Sequence, residues 1–354
     1  MNLYAVNGYK NLTNPIVACI IFCIKLTSVT VSVFKAAANG IPKTENKMTK
    51  VFIDGSAGTT GLRIRERLAV RGDISLIALS EEKRKDPEAR REALCGADIA
   101  FLCLPDAAAI EAVELAAGSD TVIIDTSTAH RTSPDWTYGF AELGYREKIA
   151  VSKRIANPGC HASGFLSLVA PLTEKGIIDK KALISCFSLT GYSGGGKKMI
   201  AEYEDAARSA LLSSPRMYGL SQMHKHLPEM CAISGLENKP VFCPIVGDFY
   251  SGMEVCVSLD ASAVNGTVDD IRRVYSEYYR NGLVRYVEAA DEAGFIAANA
   301  MSNRDDMLVS VCGNAERIVL VSLFDNLGKG ASGAAIQNMN IAMGVDEATG
   351  LVVG

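Results

Sequence analysis

Short apolar runs alternate with segments of helical periodicity from residue 50 onward. "VFID" at 51–54 is β-rich and leads into the glycine-bearing "GSAGTTG", after which apolar positions recur with helical spacing over 62–71. Residues 74–79 predict a second strand, 87–94 a helix and 98–105 ("DIAFLCLP") a buried strand. An alanine-rich helix over 106–117 and a further buried strand over 121–127 ("TVIIDTS") follow. Apolar strands separated by helices of this length predict a parallel sheet covered on both faces, an α/β nucleotide-binding domain.

Beyond residue 160 the texture changes. One helix-like run, "GFLSLVAPLTEKG", precedes longer β-rich runs: "ALISCFSLTGYS", "PVFCPIVGDF", "MEVCVSLD", "MLVSVCG" and "RIVLVSLF". Clear helical patterns interrupt them only over 199–212 and 268–280, and a last one covers 331–343. Runs of strands with few helices predict a second, α+β domain with a mixed or antiparallel sheet.

The length of 354 residues suits about two such domains. A net charge of −4 provides no broad basic footprint, which argues against a nucleic-acid partner. Ten cysteines without a Cys-x-x-Cys pair or a Cys/His cluster argue against structural zinc or a secreted disulfide framework, and fit a reducing cytoplasm. Residues 15–34 ("PIVACIIFCIKLTSVTVSVF") are apolar but carry Lys25 in mid-run, where a spanning helix wants about 20 predominantly apolar residues. Because the strand pattern starts directly after Met48, residues 1–47 are expected to be an extension outside the fold; a weak membrane anchor is the rival reading.

Candidate chemistry centres on "NPGCHASG" at 157–164. Cys160 stands where a helix would begin, and the unpaired N–H groups and positive pole of a first helical turn are expected to lower a thiol pKa. A small buried cysteine without chemistry is the alternative. In "GSAGTTG", Gly55, Gly58 and Gly61 recur every third position between strand and helix, which suits backbone contact with a pyrophosphate and equally suits an ordinary turn. Ser80, followed by Glu81, Lys83 and Arg84, ends the second strand. A hydroxyl with nearby cations suits the 2′-phosphate of NADPH, while a solvated charged loop containing Glu81 is the competing reading. Arg131 closes "DTSTAHR" at the C-terminal edge of a predicted parallel strand, placed to clamp an anion or simply to decorate the surface. Two of the four histidines, His224 and His226, share "HKHLPE", as an acid/base for Cys160, a metal pair lacking a third ligand, or a loop cap. The glycine-rich "GYSGGGKK" (191–198) and "NLGKGASG" (326–333) precede helices and suit anion contact, or are only turns.

Taken in order, "GSAGTTG", "DTSTAHR", "NPGCHASG", "GYSGGGKK", "HKHLPE" and "DNLGKGASGAAIQNMN" resemble the short form of the N-acetyl-gamma-glutamyl-phosphate reductase family, from residue 48 to the C-terminus. The resemblance implies a Rossmann-type dinucleotide domain over 48–156 plus 326–354 and a catalytic and dimerisation domain over 157–325. It implies NADPH-dependent reduction of an acyl phosphate to a semialdehyde in arginine biosynthesis, with Cys160 as nucleophile and His224 or His226 as acid/base. His224 is slightly preferred because it lies further from Pro228, read as a helix breaker. Substrate contacts are expected from Arg131, Ser127, Asn157, Gly191, Ser193 and Glu229. Cofactor contacts are expected from Gly55, Ser56, Ala57, Gly58, Thr59, Thr60, Gly61, Ser80, Asn326, Gly330 and Gly333. No metal is expected, nor a nucleic-acid or membrane partner; a homo-oligomer, dimer or tetramer, is. The rivals are an aspartate-semialdehyde dehydrogenase-like reductase, a cofactor-free cysteine hydrolase built on Cys160 and His224, and a non-catalytic nucleotide sensor.

A chain beginning at Met48 is expected to keep soluble reductase activity. Loss of that activity on removing residues 1–47 would show that the segment is functional.

Overall fold

The structure, a computed structural model, describes residues 48–354, so the extension expected over 1–47 lies outside the described residues. A parallel sheet is built from β1 (Thr49–Asp54), β2 (Ile74–Ile77), β3 (Ile99–Leu102), β4 (Val122–Asp125), β5 (Thr137–Tyr138) and β6 (Arg154–Ala156), in the order β2-β1-β3-β4-β6-β5. Every neighbouring pair in it is parallel. Helices α1 (Thr59–Leu68), α2 (Pro87–Gly96), α3 (Asp106–Leu115) and α4 (Arg146–Val151) connect the strands. Side-chain alternation along the strands separates two apolar layers. Val51 and Ile53 pack with Ile64 and Leu68 of α1 and with Ala335, Ile336 and Met339 of the last helix, α9 (Gly333–Ala342). Phe52, on the opposite face, packs with Ala93 and Leu94 of α2 and Ala109 and Ala112 of α3. The sheet is therefore covered twice, as its near-continuous apolar strands require.

The second sheet has seven strands in the order β11-β12-β13-β10-β7-β9-β8. They are β7 (Ser185–Gly191), β8 (Arg216–Met217), β9 (Val241–Gly247), β10 (Met253–Asp260), β11 (Val284–Tyr286), β12 (Met307–Gly313) and β13 (Arg317–Phe324). Parallel pairs β7/β9 and β11/β12 combine with four antiparallel ones, a mixed sheet. One face is covered by α5 (Cys160–Glu174), α7 (Leu227–Ser234) and α8 (Val268–Tyr278). Helix α5 is buried along almost its whole length, and Gly164 lets it touch the sheet: a Cβ there would stand 2.4 Å from Val255 Cγ2.

Three expectations are corrected. The helix expected over 199–212 is α6 (Gly196–Glu204), followed by a separate short turn at Ala210–Ser213. Asp205 is extended and its carboxylate accepts the Ala207 N–H at 2.8 Å, which competes with the helical ladder. Pro228 does not break a helix; it sits in the first turn of α7, where its missing N–H has no intrahelical partner to lose. Helices α4 and α7, one and a half to two turns each, are too short for a periodic signal and were not anticipated.

The loop that follows β13 passes through a π-helical turn, Gly328–Ser332, pinned by a buried ion pair. Lys329 Nζ donates to both Glu142 oxygens at 2.8 Å, lies 5.1 Å from the Phe140 ring centroid, and shares Glu142 with the Gln337 amide. Removing one partner of such a pair leaves an uncompensated buried charge. Glu142→Leu is expected to destabilise the fold by roughly 3–5 kcal/mol in denaturant unfolding, with much of it restored in Glu142→Leu/Lys329→Met. A single variant as stable as the parent would show that the pair is dispensable.

Candidate active site

The strand ends on the C-terminal edge of the parallel sheet face the mixed sheet across a cavity of about 430 Å³. Ligands collect at such edges. Cys160 opens on this cavity as the first residue of α5, and no side chain caps the helix. Its Gly159 neighbour is held by the Glu229 carboxylate, which accepts the Gly159 N–H at 2.8 Å, the Tyr138 hydroxyl at 2.7 Å and Arg131 Nη1 at 3.1 Å. Arg131 also donates to the Asn157 carbonyl at 3.0 Å and the Thr126 carbonyl at 2.9 Å. Only glycine fits at 159, since a Cβ would lie 2.3 Å from Arg131 Nη1 and 2.5 Å from His226 Nε2.

The thiol environment corrects the sequence expectation. Burial pushes the Cys160 thiol up from its ordinary value, and this outweighs the Arg131 guanidinium and the His161 N–H, which pull it down. The side chain is only half-buried by its own surface, yet protein surrounds it on every side but the cavity. The helix start is therefore favourable but insufficient, and a base has to take the proton.

Three imidazoles stand together in the cavity that Cys160 lines. The ring centroids of His161, His224 and His226 lie 4.8–5.6 Å apart. His161 is bonded through Nδ1 to the Ser188 hydroxyl and through Nε2 to the Tyr218 hydroxyl, each at 2.7 Å, and burial pushes it down to about 3. It is neutral and fully engaged. His224 Nδ1 accepts the His226 backbone N–H at 3.2 Å, which leaves Nε2 as the protonated nitrogen of the neutral ring. Burial lowers both His224 and His226, the latter further, and Nδ1 of His226 has no hydrogen-bond partner among the described residues.

The glycine turn separates this cavity from a second one of about 330 Å³. Gly55 adopts φ +87°, and a Cβ there would stand 2.2 Å from the Cys103 carbonyl oxygen. A Cβ at Gly61 would lie 2.5 Å from the Gly55 carbonyl oxygen. Helix α1 starts at Gly58 with no side-chain cap, so its first N–H groups are left for an anion. Gly58, Thr59, Thr60 and Gly61 face the Cys160 cavity, whereas Gly55, Ser56 and Ala57 face the second, with Arg65, Glu81 and Arg84. Two cavities joined at a backbone cradle suit the two halves of a dinucleotide.

Of the other expected residues, Asn157, Gly191, Ser193, Asn326 and Gly330 line the main cavity. A Cβ at Gly330 would lie 3.0 Å from Cys160 Cβ. Four do not reach either cavity. Glu229 sits behind the wall as the clamp just described; Ser127 is bonded to Asp125 at 2.7 Å; Ser80 is exposed; Gly333 is a packing glycine whose Cβ would meet Asp305 Oδ1 at 2.3 Å. Sequence reasoning missed Tyr218, Met199 and Val246, which line the cavity from elements with no motif, and Arg65, one helical turn beyond Gly61. Lys225, inside "HKHLPE", lines the cavity without an ion-pair partner among the described residues; its placement between two histidines was the available signal. Among the described residues no group of three or more His, Cys, Asp or Glu is arranged for a metal ion, and no helix is long and apolar enough to cross a membrane.

Comparison with known proteins agrees with this geometry. A family model described as "Semialdehyde dehydrogenase, NAD binding domain" matches residues 50–152, and "Semialdehyde dehydrogenase, dimerisation domain" matches 160–326. N-acetyl-gamma-glutamyl-phosphate reductase from Brucella anthropi is 44% identical over 306 residues, covering 83% of this chain and 98% of the relative. The Brucella ovis protein of the same name is likewise 44% identical, over 99% of its length. Among solved structures, aspartate semialdehyde dehydrogenase II from Vibrio cholerae, complexed with ASA, matches with a TM-score of 0.64 at 16% identity, covering 84% of this chain and 98% of that one. The Candida albicans aspartate semialdehyde dehydrogenase with NADP matches with a TM-score of 0.60 at 16% identity, with the same coverage. At such identities these two share the fold alone.

Alkylation of Cys160 by iodoacetamide in the free protein is expected to keep accelerating with pH past about 8.5, the midpoint of an ordinary cysteine. A rate already saturated near neutral pH would show a preformed thiolate and contradict the desolvation account.

Proposed function

Because the chain belongs to the N-acetyl-gamma-glutamyl-phosphate reductase family, an NADP-dependent branch of the semialdehyde dehydrogenases, we propose that Cys160 carries the acyl group in the reduction of N-acetyl-gamma-glutamyl phosphate to the 5-semialdehyde. The observation that carries this reading is the cysteine at an uncapped helix start, sharing one cavity with a glycine phosphate cradle and two neutral imidazoles.

In the proposed sequence Cys160 loses its proton to an imidazole, and its sulfur attacks the acyl carbon. The carbon–oxygen bond to phosphate breaks, and phosphate leaves with the electron pair, leaving a thioester on Cys160. The glycine turn over Gly55–Gly61 would hold NADPH, which would supply the hydride that reduces the thioester. Backbone N–H groups at the start of α5 and a protonated imidazole would hold the oxygen of the thiohemiacetal on Cys160. Cleavage of the carbon–sulfur bond then releases the semialdehyde, and the sulfur regains its proton.

The hydrogen bonds divide the histidines. His224 spends Nδ1 on the His226 N–H and presents a donor, which suits it to a substrate oxygen. His226 lines the cavity and turns Nε2 towards Gly159, next to Cys160, which suits that nitrogen to exchange the cysteine proton. This reverses the slight preference for His224 that came from Pro228. Arg131 and Lys225 make the cavity cationic for a phosphate or carboxylate group.

For the cofactor, Arg65 and Arg84 at the second cavity suit the 2′-phosphate of NADP, and Arg84 pairs with Glu81 in the absence of that charge. Residues 48–156 with 326–354 are assigned to the dinucleotide domain, since α9 packs into its core, and 157–325 to catalysis and subunit pairing. The matched dimerisation domain supports a homo-oligomer acting on a small-molecule substrate. The outward face of β7, β9 and β10, with Phe187 43% and Val241 56% exposed, suits a subunit contact, dimeric or tetrameric. Nothing about the acidic surface balance recommends a nucleic-acid or membrane partner, and free thiols at the described cysteines suit the cytoplasm.

Assayed in reverse with N-acetylglutamate semialdehyde, phosphate and NADP, the protein is expected to be active and His226→Ala to lose on the order of 100-fold or more in kcat. His224→Ala should chiefly raise KM. The opposite pattern would return the proton to His224, and activity with aspartate semialdehyde in preference to the N-acetylated substrate would overturn the substrate assignment.

A further inference from the structure

The apolar residues lining the Cys160 cavity fall into two groups. Cys103, Leu104, Leu327 and Ala331 come from the loops around the glycine turn and after β13. Met199 of α6, Tyr218 just after β8, and Val246 of β9 come from the mixed-sheet region. These three belong to one small cluster: Met199 and Tyr218 pack on buried Tyr203, Leu212 and Val246, separate from the main cores. The cluster is well fixed. Met199 folds back on Gly195, where a Cβ would lie 2.5 Å from its sulfur. The Tyr218 hydroxyl is tied to His161, the neighbour of Cys160, while its ring packs on the cluster that holds Met199 and Val246.

The charges of the wall point the same way. Among the described residues lining the cavity there is no Asp or Glu, while Arg131 and Lys225 both line it; the nearby Glu229 carboxylate is spent on Gly159, Tyr138 and Arg131. A free α-ammonium would meet Lys225, which has no ion-pair partner among the described residues, and no lining carboxylate to receive it, at a desolvation cost. An amide is neutral there, and its acyl carbon chain needs an apolar seat.

We propose that Met199, Tyr218 and Val246 form the acyl subsite, the part of the cavity that accepts the N-acetyl methyl group and so selects N-acylated over free-amino substrates. The proposal rests on the reading of the substrate given above. Its size limit is set by Met199, whose side chain is backed against Gly195 and closes the seat against longer acyl groups.

The test compares N-formyl-, N-acetyl- and N-propionylglutamate semialdehyde in the reverse assay with phosphate and NADP. Met199→Ala should raise the propionyl-to-acetyl ratio of kcat/KM by about 10-fold, the usual worth of one methylene in an apolar pocket. Met199→Phe should move the ratio the other way and raise formyl over acetyl. Gly195→Ala, which displaces Met199 without changing it, should also disturb the ratios, and it stands in should Met199→Ala fail to fold. Ratios unchanged within about 2-fold in variants that still turn over the acetyl substrate would overturn the subsite alone. A parent protein inactive on all three N-acyl substrates would overturn the functional reading and the subsite with it.

Discussion

The site depends on one buried carboxylate. Glu229, on the mixed-sheet side, accepts from the Gly159 N–H, the Tyr138 hydroxyl and Arg131, which come from three separate stretches of the parallel-sheet region and the turn before α5. An ionised carboxylate out of water is tolerated only while its lone pairs are filled, and removing a partner of such a group costs roughly 3–5 kcal/mol. Its three donors are therefore held where they are, and with them the backbone that aims Cys160 into the cavity. Arg131 is shared between this clamp and the cavity wall, so the same guanidinium that orients the turn lowers the thiol against the effect of burial.

That opposition gives the site its chemical character. Burial raises the thiol and depresses the imidazoles, so the resting cavity holds a thiol and neutral histidines rather than an ion pair. Proton transfer between them creates both charges inside a chamber already lined by Arg131 and Lys225, where an arriving acyl phosphate supplies the compensating negative charge.

Much of this was legible in the sequence. The βαβ rhythm over 50–127 gave the parallel sheet, because strands buried on both faces must be apolar throughout, and the glycine turn declared itself by falling between strand and helix. Cys160 was legible through its position after "NPG" rather than within the apolar run. What stayed hidden was whatever depends on three-dimensional closure. Glu229 looked like a ligand because it stands in a motif with the histidines, and only the fold reveals that its carboxylate faces Gly159. The helix-start argument for a low thiol pKa was sound in its parts but omitted desolvation, which sequence does not display. Pro228 read as a breaker because a helix of eight residues has too little periodicity to announce that it begins there. Val246 reaches the cavity from a β-rich run that resembles every other core strand, and Tyr218 follows a two-residue strand too short to carry a pattern.

The central claim, an acyl group carried by Cys160, is tested most directly by mixing the protein with N-acetyl-gamma-glutamyl phosphate in the absence of any nicotinamide and recording the intact mass. The account requires prompt release of phosphate, stoichiometric with sites, and a matching acyl adduct that peptide mapping finds on Cys160 and that Cys160→Ser lacks as a thioester. Phosphate release without an adduct, or an adduct on another cysteine, would contradict it.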